Sequence, residues 1–165
     1  MPIVKPRKLP RVVRLDDSDV EVFAIPAKPG EWAVPGGFEF LDLDPASLSG
    51  KHLQAFKSGF LGIGGYGRAT LVAITEASET DFRSVVEQLA AYLVDHYDAP
   101  DLTAAMQVAD DEVRFAESLC EYDVNTLLAV EREFTDDGIS ERFKKFIPAG
   151  AGWEQARPLV YGEEP

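Results

Sequence analysis

Cysteine and histidine are nearly missing from this chain: one of the first and two of the second in 165 residues. With Cys120 alone, no internal disulfide can form, and a reducing cytoplasm is the expected compartment. His52 and His96 have neither H-x-x-x-H nor C-x-x-C company, so a transition-metal site would need distant carboxylates to converge. Both are expected on helix surfaces or ends, with no metal and no cofactor. Apolar runs are also short. None approaches the roughly 18 to 20 residues that cross a bilayer, so no membrane span is expected. The opening "MPIVKPRKLPRVVRL" carries cations without an apolar h-region, unlike a secretory signal.

Cations are scarce as well, 16 Lys and Arg against 29 Asp and Glu, for a net charge of -13. Residues 1–15 hold five of them (Lys5, Arg7, Lys8, Arg11, Arg14) and no acid, leaving 11 cations against 29 acids afterwards, a net -18. Such a body repels phosphate backbones and anionic lipid, which argues against nucleic acid and membrane surfaces as partners. The short basic arm, with three prolines, is expected to be a flexible tail.

What is present suits one globular domain: 45% hydrophobic and 27% charged residues, at a length that buries a core without staples. "RVVRLDDSDVEVFAI" suggests a hairpin, with strands at 11–15 and 20–25 about a "DDSD" turn. "DDSD" lacks the order of a calcium-binding EF-hand loop. Phe38 and Phe40 alternate about Glu39 as in a strand. "DPASLSGKHLQAFKSGFLGI" opens a helix capped by Asp44 or Ser47, with Leu53, Phe56 and Phe60 on one face, ended by Gly59 and Gly62. "RATLVAITEA" is the best buried-strand segment, apolar or β-branched from Thr70 to Thr75.

Two long helices are expected next. One is capped by Ser78 or Thr80, with Phe82, Val85, Val86, Leu89 and Leu93 as its stripe. The other begins at Asp101 and carries Leu102, Ala105, Met106, Ala109, Val113, Ala116 and Cys120. Residues 79–123 hold twelve acids against Arg83 and Arg114, which loads the outer faces of both helices with negative charge. A hairpin about Asp137–Gly138 follows, Leu128, Val130 and Phe134 before it and Ile139, Phe143 and Ile147 after it; a helix over 138–146 is the competing reading. The tail is extended, with Trp153 and Tyr161 pinning it to the surface.

"GFLGIGGYGRATL" contains Gly62, Gly64 and Gly67 in the G-x-G-x-x-G spacing of dinucleotide loops. That loop must leave a strand and enter a helix, so that the pyrophosphate rests on the helix N-terminus. Here the glycines follow a helix and precede a strand, so they are expected to cap the helix and turn the chain into a central strand. Other chemistry is equally thin. Cys120 on an apolar stripe beside Glu117 and Glu121 suits packing rather than attack. Ser58 and Ser84 lack G-x-S-x-G context. "ADDE" at 109–112 spreads its acids about 100° apart around a helix, a solvated face. Glu131 and Glu133, facing Arg142, Lys144 and Lys145 beside Arg132, suit cross-strand ion pairs.

The strings "VVRLDDSDVEVF", "PGEWAVPGGFEF", "LSGKHLQAFKSGFLG" and "LLAVEREF" resemble a small α-proteobacterial family of unknown function over most of residues 11–147. The resemblance implies a bacterial cytoplasmic protein and carries no activity, cofactor or partner with it.

The expected architecture is α+β: an antiparallel or mixed sheet with two long helices and one short one mainly on one face, a two-layer sandwich. Its organisation is a flexible basic arm at 1–10, a single domain at 11–147 and an extended surface tail at 148–165. No catalytic residue is expected, and the leading reading is a non-enzymatic accessory or interaction module whose acidic helices dock a basic protein. The alternative is a small-molecule binder or enzyme with a pocket at the Gly59–Arg68 corner lined by Trp32, Tyr66 and Arg68, Arg68 holding a ligand carboxylate. A homodimer through a sheet edge or the tail is a third.

Overall fold

The computed structural model describes residues 7–97, 99–149 and 152–160. Its elements run β1 (Arg7–Val13), α1 (Ser18–Val22), β2 (Trp32–Val34), two 3-10 turns (Gly37–Phe40, Pro45–Ser47), α2 (Gly50–Ser58), β3 (Phe60–Ile63), β4 (Arg68–Ala69), β5 (Leu71–Ala77), α3 (Glu79–His96), α4 (Leu102–Ser118), β6 (Leu127–Thr135), β7 (Gly138–Ala149) and β8 (Gly152–Val160). The strands form one sheet in the order β4-β3-β2-β1-β5-β6-β7-β8, antiparallel at every pair. The fold is α+β.

The long helices start where local chemistry says they should. Ser78 Oγ accepts from the Asp81 N–H at 3.0 Å, and the Asp81 carboxylate accepts from the Ser78 N–H at 2.9 Å, a reciprocal cap on α3. Asp101 accepts from the Ala104 N–H at 2.7 Å and starts α4. Phe82, Val85, Val86, Leu89 and Leu93 turn inward from α3. Ala105, Ala109, Val113 and Ala116, small side chains that permit close approach, turn inward from α4. Together with Leu9, Val34, Leu61 and Ile63 they make the core beneath the helices.

A second core fills the other face, built from Val12, Phe60, Val72, Ile74, Leu128 and Val130. Phe60 on β3 and Phe143 on β7 stand 6.3 Å apart, centroid to centroid, although four strands separate them in the sheet. Five strand spacings of about 4.8 Å would hold them roughly 24 Å apart in a flat sheet. The sheet therefore rolls up and packs this face against itself. α2 lies against β6 in the mouth of the roll, with Phe56 stacked on Phe134 at 4.1 Å.

Four expectations need correction. The first hairpin does not form: residues 18–22 wind into α1, and β1 pairs with β5 over its whole length and with β2. The cause is long-range, since buried Asp19 accepts from the Thr70 hydroxyl at 2.6 Å. Residues 7–10, placed in the flexible arm, belong to β1. Arg7 reaches Glu117 at 2.7 Å and Glu79 at 3.0 Å and lies over the Phe82 ring, so its charge fastens the strand to α3 and α4. Phe38 and Phe40 sit in a 3-10 turn rather than a strand, because Gly36 at φ +74° breaks the extended chain. The helix expected from Asp44 is divided: Asp44 caps a 3-10 turn, α2 begins at Gly50, and Phe60 belongs to β3. The hairpin about Asp137–Gly138 forms as expected, with 138–146 in strand rather than in the competing helix. Residues 152–160 of the tail pair with β7; residues 1–6, Tyr161 and the Trp153 side chain lie outside the described residues.

The glycine cluster is the turn of the β3–β4 hairpin. Gly59 ends α2, its N–H on the Ala55 carbonyl at 3.0 Å, and the chain passes through β3 and β4 at the sheet edge before it reaches the central strand β5. No helix follows the glycines, so the phosphate cradle is missing its anchor. Gly64 turns at φ +141°. Gly67 lets the 25–27 segment close over β4: the Arg68 N–H reaches the Ile25 carbonyl at 2.8 Å, and the Ala27 N–H returns to the Arg68 carbonyl at 2.8 Å. A Cβ on Gly67 would lie 2.6 Å from the backbone of Ile25 and Pro26. Gly67→Ala should therefore lower stability by about 2 kcal/mol and the Tm by roughly 4–8 °C. Gly65→Ala, whose added carbon meets Glu31 Oε2 at 3.6 Å, is the control and should shift the Tm far less in the same thermal scan.

Candidate functional site

The densest polar chemistry lies where β2, α2, β4 and β6 meet. Arg68 comes from β4 and Arg132 from β6, both buried. Arg132 Nε donates to Glu141 at 2.7 Å. One terminal nitrogen donates to the Phe56 carbonyl at 2.9 Å and the Gly59 carbonyl at 2.8 Å, and the other to the Pro35 carbonyl. Arg68 reaches the Gly59 and Gly36 carbonyls at 3.1 Å each, the Pro35 carbonyl at 3.5 Å, and the Glu39 carboxylate. Phe40 lies beneath both guanidinium groups, 4.8 Å from Arg68 and 5.8 Å from Arg132.

Glu39 is the anionic hub: its carboxylate accepts from Arg68, from the Tyr92 hydroxyl and from the Tyr97 hydroxyl. Tyr66, at φ +58°, stacks on Tyr92 at 3.9 Å and donates to the Gln88 carbonyl at 2.8 Å. Burial, then the contact with Glu39, pushes Tyr92 up to about 12. Burial, then Glu31, does the same to Tyr66, also to about 12; Tyr97 is raised by burial and Glu39 too. All three phenols are protonated donors at neutral pH. Burial lowers the pKa of both arginines, and their carboxylate partners Glu39 and Glu141 oppose it.

The third acid is Glu112 of α4, which accepts from the Gly36 N–H at 2.9 Å. It therefore leaves the solvated face expected of residues 110–112. Burial raises its pKa, the Gly36 hydrogen bond lowers it, and the neighbouring Glu141 raises it again. With all five groups ionised, three carboxylates face two guanidiniums. Chemically this is a brace: the guanidinium donors are turned onto protein carbonyls and carboxylates, an arrangement that positions chain segments.

The three sequence candidates do not share one place. Tyr66 and Arg68 line a cleft of about 190 Å³ between α1, the 3-10 turns and α2. Trp32 stands on β2 under the Arg11 guanidinium, 4.2 Å from its ring, and is not in that wall. Glu131 pairs with Lys144 at 3.0 Å and Arg142 at 3.3 Å, whereas Arg132 turns inward. The signal for Arg132 was in its phase, since it continues the inward alternation of Leu128, Val130 and Phe134. Glu39 and Glu112 left no local signal. Burial pushes the Cys120 thiol up to about 12, and among the described residues no group of His, Cys, Asp and Glu gathers as metal ligands.

A family model of a family of unknown function, DUF6505, matches residues 7–158. The chain belongs to this family. Neither the curated proteins nor the solved structures contain a match to it. The brace lies within the matched span, as do both helical caps and the β3–β4 hairpin. Among the described residues, no helix is long and apolar enough to cross a membrane.

Glu112 gives a pH test. Its folded pKa is raised, so its favourable contribution is complete below the ordinary carboxylate range and is lost as pH rises through the raised value. Glu112→Gln keeps an acceptor for the Gly36 N–H and removes the charge. Thermal unfolding at pH 5 and pH 8 should show the variant gaining stability on wild type as pH rises. A wild-type advantage that grows with pH would contradict the assignment.

Proposed function

We propose that the chain is a non-enzymatic accessory module of a reducing cytoplasm that docks a basic protein on the outer faces of α3 and α4. The observation that supports it most is the division of charge between inside and outside. Buried Arg68 and Arg132 are engaged with Glu39, Glu141 and backbone carbonyls. On the helices, Arg7 engages Glu79 and Glu117, and Arg114 engages Asp110 at 2.7 Å. Glu87, Asp95, Asp101, Asp111, Glu121 and Asp123 remain exposed beside them. Glu87 and Asp95, two turns apart, project from one side of α3.

Exposed apolar groups lie among these acids: Val94, Val108 and Phe115. Apolar contact area among predominantly acidic groups suits a protein partner carrying the opposite charge. In a chain of net -13 such a surface attracts cationic partners at long range and weakens with salt, since the screening length is about 8 Å at physiological ionic strength.

A fourfold variant, Glu87→Gln, Asp95→Asn, Asp111→Asn and Glu121→Gln, alters exposed groups only. Affinity capture from the source cells should yield a basic protein whose retention by wild type falls with added salt. Its affinity for the variant should drop by at least about tenfold, as expected for several rim charges. Equal retention by the two forms, or none by wild type at low salt, would contradict the reading.

A further inference from the structure

The cleft that Tyr66 and Arg68 share is not part of the acidic surface, and its chemistry differs. Its walls come from Phe23 and Ile25 after α1, Phe40, Leu43 and Leu48 of the 3-10 segment, and Tyr66 of the hairpin. Ile25 is 65% exposed and Leu43 42% exposed, so apolar surface stands open to water at the mouth. Leaving it uncovered costs about 25 cal/mol for each Å². At about 190 Å³ the space exceeds the roughly 150 Å³ that accepts a benzene molecule in an apolar cavity. A ring or branched chain with two or three further carbons fits.

The lip decides the polar end. Lys51 and His52 of α2 border the cleft. Between Pro45 and Thr75 the chain has no Asp or Glu, while it holds Lys51, Lys57, Arg68 and His52. The cleft wall itself carries Lys51, His52 and Arg68 against one acid, Glu39, unlike the body of a protein of net charge -13. The acid in its wall is engaged: Glu39 accepts from Arg68, Tyr92 and Tyr97. Arg68, the residue expected to hold a carboxylate, already donates to four acceptors in the brace. A ligand acid would be met at the lip.

We propose that this cleft binds a small apolar monocarboxylate, its ring or branched chain against Phe23, Phe40 and Tyr66 and its carboxylate at Lys51 and His52. The proposal goes beyond partner docking and fails independently of it, because the four acids altered in that test lie on other elements.

The test is an NMR titration of the isotope-labelled full chain with three probes of one skeleton: 3-phenylpropionate, 3-phenylpropan-1-ol and 3-phenylpropylamine. The carboxylate should move the amide signals of Ile25, Leu43, Lys51, Ala55 and Tyr66, with a Kd on the order of 1 mM or tighter. It should bind about tenfold more tightly than the alcohol, and the amine more weakly still. Lys51→Glu should bring the carboxylate to or below the alcohol's affinity and change the alcohol far less. Leu43→Ser should weaken both; if that variant fails to fold, Ile25→Ser at the more exposed mouth position serves in its place. Equal binding of carboxylate and amine, shifts confined to other surfaces, no shifts at all, or a Lys51→Glu variant that keeps the preference for the acid would each overturn the proposal.

Discussion

A helix end and a strand end leave carbonyl groups that folding would strand away from water. In this chain, two guanidinium groups answer that constraint. The Phe56 and Gly59 carbonyls belong to the close of α2, and those of Pro35 and Gly36 follow β2. Arg132 takes three of the four and Arg68 takes three, sharing Pro35 and Gly59. An unsatisfied buried carbonyl costs about 1–3 kcal/mol, so the arrangement decides whether these segments can be buried together. Because Arg132 stands on β6 and its acceptors flank β2 and β3, the same bonds hold the rolled sheet closed around its inner core. Glu39, Glu112 and Glu141 then set the electrostatic balance of that closure, and Tyr92 and Tyr97 tie it to α3.

Elements whose causes are local were legible in advance. Ser78 with Asp81, Asp101 with its cap, the stripe from Phe82 to Leu93 and the alternation on both sides of Asp137–Gly138 all act within a few residues of themselves. Errors fell where a distant partner decides. Asp19 winds into a helix because Thr70 lies beside it. Residues 7–10 look like a loose basic arm until Glu79 and Glu117 are brought next to Arg7. Phe38 and Phe40 have strand alternation, but Gly36 breaks the extended chain there and Glu39 turns to Arg68 and the tyrosines. Of the site, Arg132 could have been found, since it occupies an inward position of an otherwise apolar alternation. Glu112 could not, because an acid on an acidic helix looks the same whether it faces solvent or a backbone N–H.

The same accounting of charge organises the functional reading. Ionisable groups in the interior act on the chain itself. Glu87, Asp95 and Asp111 on α3 and α4 face solvent, and Lys51 and His52 of α2 border the apolar cleft. The molecule thus presents two unlike surfaces on one frame, and the brace between β4 and β6 keeps them in fixed relation. Membership of a family of unknown function over residues 7–158 places this frame within the family's matched span.

The central claim is that Arg132 holds the rolled sheet shut, and denaturant unfolding of Arg132→Met measures it most directly. Methionine keeps much of the side-chain length and removes every donor. The account predicts a loss of about 3–5 kcal/mol, the cost of orphaning a buried partner, whereas Arg142→Met, on a strand surface where the side chain is 46% exposed, should lose no more than about 1 kcal/mol. An Arg132→Met protein as stable as Arg142→Met would contradict it.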